Sequence, residues 1–202
     1  MNGMATRRRN ILALGIIAIA SAVALIGPRA QTADTAPAYT ADGRLNFPAA
    51  YRTWVFLSSG LDMSYLPFAL PGRHSFTNVF VNPNAYAEFQ RTGTWPDKTM
   101  LVLEVRRGET NGSINKSGQF QAEIVQTEVH LKDAARGGWA FYGFRDQNTP
   151  ATMIARTADC YSCHQANGAA DTTFVQFYPT LLSIAREKKT LSAGYVADEA
   201  KR

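Results

Sequence analysis

Cysteine is nearly missing from this chain of 202 residues: there are two, three positions apart, so at most one disulfide can form. Histidine is almost as scarce, at three. Methionine beyond the first thirty residues is limited to Met63, Met100 and Met153, and none follows Cys163. Acidic residues are absent from residues 1–30, where Arg7, Arg8, Arg9 and Arg29 lie. The formal net charge of +5 therefore belongs largely to that leader. Without it, 17 basic residues face 16 acidic ones, a net of about +1. A near-neutral body with no basic stripe argues against a nucleic-acid partner. There is no internal repeat and no low-complexity block. The apolar run Ile11–Ile26 is shorter than the roughly 20 residues a membrane span needs.

What the leader does contain is the pattern of an export signal. Three arginines precede the apolar run, and Ala20-Ser21-Ala22 or Ala22-Val23-Ala24 supplies small residues for cleavage. Residues 1–30 thus read as a signal peptide directing the chain to the periplasm, with an uncleaved membrane anchor as the alternative. Residues 31–46, rich in Ala, Thr, Asp and Pro, read as a flexible tether. Residues 47–189 read as one domain, and residues 190–202 as a polar tail that frays.

Within the domain, Phe47–Arg52 opens with a short helix, and Thr53–Leu57 is extended. Gly60–Arg73, with Pro67, Pro71 and Gly72, is a loop. Ser75–Val81 alternates as a strand, with Phe76, Asn78 and Phe80 on one face and Thr77, Val79 and Val81 on the other. Asn82-Pro83 starts a helix that stops at Gly93. Strands follow over Thr99–Arg106, Phe120–Leu131 and Trp139–Phe144. After Pro150 the pattern turns helical: Thr152–Tyr161 leads into the cysteine pair, and Phe174–Lys188 carries Pro179 inside or at its start. Successive short strands followed by helices predict an α+β fold, mainly an antiparallel sheet with flanking helices.

Both cysteines lie in Cys160-Tyr161-Ser162-Cys163-His164. This C-x-x-C-H stretch reads as a c-type haem attachment site near the C-terminus. Two thiols at that spacing add to the two vinyl groups of one haem, and the adjacent imidazole is placed to ligate the iron. A disulfide or a thioredoxin-type thiol pair is the alternative. That redox site normally opens a helix early in a βαβ unit, whereas this pair lies late and is followed at once by His164. His74 and His130 read as surface or hydrogen-bonded histidines. The lack of methionine after Cys163 removes the usual sixth ligand of an electron carrier and favours an open iron.

The C-x-x-C-H stretch, together with Asp171–Leu181 (Asp-Thr-Thr-Phe-Val-Gln-Phe-Tyr-Pro-Thr-Leu) and Gly137–Tyr142, resembles the cytochrome P-460 family, which includes the cytochromes c′-beta. Tyr51–Trp54 and Val79–Pro83 fit the same pattern, so the likeness spans about Phe47 to Arg186. The resemblance implies a homodimer and one covalently bound haem c. It implies a five-coordinate iron with His164 as the axial ligand, and an apolar distal pocket facing the sheet. P-460 members oxidise hydroxylamine and carry an extra bond from a lysine to the haem. The c′-beta members lack that bond and bind small gases, notably nitric oxide. The lysine stands in the pattern Thr-x-x-Val-Lys-Glu. Here that stretch reads Thr99-Met100-Leu101-Val102-Leu103-Glu104, with Leu103 in the lysine's place. Lys98 is five positions away, an odd offset that points to the other face of a strand.

The expected site is therefore Cys160 and Cys163 for haem attachment and His164 for the iron, with Phe56, Phe76, Phe80 and Leu103 as the distal wall. No catalytic residue is assigned. The expected function is a periplasmic haem c protein that binds or redox-converts nitric oxide or a related small nitrogen species, with a redox partner protein if it turns over. A hydroxylamine-oxidising enzyme and a six-coordinate electron carrier are the alternatives.

Overall fold

The computed structural model describes residues 35–65 and 74–202. The leader, the start of the tether, and Pro67, Pro71 and Gly72 of the loop lie outside these residues. Five strands form one antiparallel meander in which sequence neighbours are also spatial neighbours. They are β1 (Val55–Leu61), β2 (Ser75–Val81), β3 (Met100–Glu109), β4 (Phe120–Asp133) and β5 (Gly138–Phe144). Helix α1 (Pro83–Thr92) sits between β2 and β3. Helices α2 (Asp159–Asn167), α3 (Pro179–Glu187) and α4 (Ala193–Glu199) follow the sheet. The expected α+β architecture is the observed one. Among the described residues, no helix is long and apolar enough to cross a membrane.

The middle of the sheet is covered on both faces, and each face has its own core. Leu57, Val81 and Leu101 point to one side, where Phe89 of α1, Leu181 and Ala185 of α3 and Tyr195 of α4 cover them. Met100, Val102, Val129, Leu131 and Tyr142 point to the other side, where Leu45, Tyr51 and Trp54 cover them. Successive side chains of a strand alternate between faces, so neighbours such as Leu101 and Val102 enter different cores.

Helix α1 begins at Pro83 and ends at Gly93, whose φ of 75° lies in the left-handed region that glycine adopts most readily. A side chain at Gly93 would also meet Lys188 Cβ at 2.7 Å, so the turn packs directly against the end of α3. Asn82 precedes the helix but makes no side-chain cap. Its Oδ1 instead accepts from Met100 N at 2.9 Å and ties the helix start to β3.

Three local expectations are corrected. Residues 35–46 are no loose tether: Tyr39 bridges Leu45, Leu45 bridges Ala151, and Leu45 is completely buried. Tyr39 Oη also donates to Asp133 Oδ2 at 2.8 Å. The expected helix over Thr152–Tyr161 starts only at Asp159 and contains the cysteine pair rather than leading into it. The tail is not frayed either. Ser192 caps α4 by accepting from Tyr195 N, and Tyr195 is buried.

Candidate functional site

Helix α2 carries Cys160, Cys163 and His164, and Cys160 lies one turn from each of the other two, at i,i+3 and i,i+4. Cys160 is exposed, Cys163 is half-buried, both are free thiols, and His164 is buried. Asp159 in the first turn complements the positive end of the helix. Tyr161 fixes the helix to β5. Its hydroxyl donates to Ile154 O at 3.0 Å and accepts from Phe141 N at 3.3 Å.

His164 Nδ1 lies 2.9 Å from Thr172 O. A carbonyl can only accept, so Nδ1 carries the proton. Burial, with His130 nearby, lowers the His164 pKa to about 4. The ring is therefore neutral at neutral pH, with the lone pair on Nε2, which is the form that ligates metals. The rings of Phe174 at 4.3 Å, Phe141 at 4.7 Å and His130 at 4.9 Å surround it.

The residues after α2 each have a visible task. Gln176 accepts from Ala169 N at 3.0 Å and donates to Asn167 O at 2.8 Å, closing the chain behind the helix. Phe174 lies over the His164 ring. Tyr178 is buried and precedes Pro179, which occupies the first turn of α3. Gly168 has to be glycine: an added Cβ would lie 2.5 Å from the Thr172 carbonyl carbon and 2.8 Å from His164 O.

In front of His164 is a cavity of ≈ 230 Å³ between α2, the Phe174–Tyr178 segment and the sheet. Its sheet wall comprises Ser58, Thr77, Val79, Leu101, Leu103, Glu128 and His130. Met63, Tyr65, Thr173, Phe174, Phe177 and Tyr178 also line it. Leu103 lines the cavity, directly across from Glu128 on the next strand. Among the described residues, no lysine lines the cavity. Lys98 sits in the turn before β3 with a φ of 62° and pairs with Asp133 on the far side of the sheet.

Phe56, Phe76 and Phe80 do not form the distal wall. Phe56 and Phe80 stack edge-on at 5.6 Å, Phe80 packs against Tyr51, and Phe76 shares the Phe80 face of β2. The alternation of Ser75–Val81 was read correctly, but the set facing the cavity is Thr77 and Val79. His130 is the hydrogen-bonded histidine of the two readings given for it: its Nε2 lies 3.5 Å from Glu128 Oε2, and the pair lines the cavity. Glu128 was missed altogether, although it stands two positions from His130 on β4 and so shares its face. The hydrogen bond from His130 outweighs the opposing effect of burial and keeps the Glu128 carboxyl below its usual range. His74 pairs with Asp62 at 2.7 Å on the surface, and Arg145 and Asp146 are exposed loop residues.

These residues suit a flat, largely apolar group with a metal at its centre. A neutral imidazole with a free Nε2 faces a cavity whose wall is mostly apolar, with the Glu128–His130 pair on one side, and two thiols lie on the same helix. Among the described residues, no group of three or more histidine, cysteine or carboxylate side chains could hold a bare metal ion. A family model described as Cytochrome P460 matches residues 48–175, well over half of the chain. No curated protein matches the chain.

Proposed function

We propose, from the premise that this chain belongs to the cytochrome P460 family and is a haem protein, that Cys160 and Cys163 bind one haem c covalently. In this reading His164 is the only protein ligand of the iron, and the cavity side takes nitric oxide or a related small nitrogen species. The observation that carries it is the anchored ring of His164: Nδ1 is committed to Thr172 O, which leaves Nε2 for a metal. The haem, when bound, supplies an iron that takes a small ligand and exchanges electrons.

The chain's own residues select what reaches that iron. Val79, Leu101 and Leu103 make one part of the wall apolar, which disfavours water there. Glu128, held ionised by His130, adds a negative charge that repels anions and leaves neutral diatomic ligands unhindered. Leu103 in place of a lysine supports two covalent links rather than three, and so gas binding over hydroxylamine oxidation. The proposed setting is the periplasm, reached through the N-terminal signal, and the proposed assembly is a homodimer.

The test is the mass and the spectrum of the purified protein. One haem on the peptide containing Cys160 and Cys163, with no third attachment, is the expected mass result. The reduced iron should be high-spin and change its absorption on adding nitric oxide or carbon monoxide. A sharp low-spin spectrum indifferent to both gases would sink the proposal. A six-coordinate iron is the second reading, with His130, which lines the same cavity, as the other ligand; its ring is in edge-to-face contact with that of His164 at 4.9 Å, and the two would have to move apart to admit the haem between them. As a sixth ligand His130 would make the protein an electron carrier. His130→Ala separates the two: it leaves a high-spin reduced spectrum high-spin, but converts a bis-histidine spectrum from low-spin to high-spin.

A further inference from the structure

The carbonyl that anchors His164 sits in a strained turn. Ala170–Thr173 is closed by Thr173 N donating to Ala170 O at 2.9 Å. Its two central residues, Asp171 and Thr172, both have positive φ, 47° and 57°. Two successive positive φ values mark a type I′ turn, where Asn-Gly is the favoured pair. A β-branched residue such as Thr172 is costly there, on the order of 1–3 kcal/mol, and such conformations persist only where surrounding contacts impose them. The contacts are visible. Lys132 of β4 donates to Asp171 Oδ2 at 2.7 Å, and Trp139 Nε1 of β5 points at Asp171 Oδ1 at 3.4 Å. Lys132 also donates to Trp95 O at 2.7 Å, and Trp95 Nε1 donates to Thr173 Oγ1 at 2.8 Å. The sheet thus grips the turn from one side while the turn grips His164 from the other.

We propose that Asp171 is a positioning residue for the iron's axial ligand: its clamp by Lys132 and Trp139 sets the strength of the His164 Nδ1–H···O=C Thr172 bond, and through it the reduction potential of the iron. The proposal rests on the reading of His164 as the haem ligand. A firm bond at Nδ1 makes the imidazole a stronger donor at Nε2, and a stronger donor stabilises the oxidised iron. Releasing the clamp lets the carbonyl drift, weakens that bond and favours the reduced iron.

The experiment compares Asp171→Ala, Asp171→Asn and Lys132→Met with the wild-type haem protein. It reads the iron–histidine stretching frequency of the reduced protein, the midpoint potential and the melting temperature. Asp171→Ala should lower the frequency and raise the potential. Asp171→Asn keeps the side-chain shape, the tolerance of positive φ and an acceptor for Trp139, so it should shift both readings the same way by less. Lys132→Met should reproduce the direction. Variants that melt at lower temperature but keep the wild-type frequency and potential would overturn the proposal and leave Asp171 a turn former only. A wild-type protein with no iron–histidine band would instead fail the underlying reading of His164, and the proposal with it.

Discussion

Glu104 and Glu128 lie on opposite faces of one sheet, and both are held ionised by what surrounds them. Glu104 is almost completely enclosed. Burial alone would raise its pKa, but hydrogen bonds from Arg106, Tyr51 and Asn78, with the charge of Arg52, outweigh it and leave the pKa lowered. A carboxyl depressed in the folded state stabilises the fold above its unfolded pKa of about 4.3, and that stability is lost as pH falls through the folded value. Glu104→Gln should therefore flatten the acid limb of a stability-against-pH curve below about pH 4.5. At neutral pH it should cost about 2 kcal/mol in denaturant melts, because Tyr51, Arg52 and Arg106 lose a charged partner. An unchanged acid limb would remove Glu104 from the account. No sequence pattern pointed to this network, since its members come from residues 51 to 106 and meet only when β2 pairs with β3 and the Ala49–Thr53 segment packs on them.

At the scale of elements, α3 fixes the floor of the site. Leu181 is fully buried against the sheet face that also forms the cavity wall, and Tyr178, at the start of the same helix, lines the cavity. Leu181→Ala should cost about 2–5 kcal/mol, read by chemical denaturation, because the surrounding helices and strands cannot fully close the void. Strand β2 and helix α1 were legible in the sequence because their signals are local: β-branched and aromatic residues in Ser75–Val81, a Pro at the start of Pro83–Thr92 and Gly93 just after it. The face of β2 that meets the site was not. Both sets of alternating residues are apolar because both faces of the sheet are covered, so a period of two cannot say which set looks where. Helix α2 was misplaced for a related reason. Its residues, Asp-Cys-Tyr-Ser-Cys-His-Gln-Ala-Asn, present no apolar stripe, and only the chemistry of the motif marks it.

For the whole molecule, the boundary of the folded unit lies earlier than composition implied. Residues 35–46 contribute Leu45 to the core, and Tyr39 joins Asp133 while Arg136 lies 3.8 Å over its ring. A chain beginning at residue 47 should be less stable than one beginning at residue 31 by about 3 kcal/mol, from one lost leucine and one lost hydrogen bond to a carboxylate. Equal melting curves for the two would return the segment to the status of a tether. The meander has a further consequence, for the order of events in maturation. Each strand pairs with its predecessor, so the sheet's contacts are local, and it can zip up as a low-contact-order unit before the residues after Phe144 are in place. The C-x-x-C-H helix comes after all five strands and is the piece that closes over the cavity. A haem-free chain should then show slow amide exchange in β2–β4 and faster exchange in α2, with haem loading slowing α2. The sheet would act as a finished mould, and the thiol-bearing helix as the closure that sets around its cargo last.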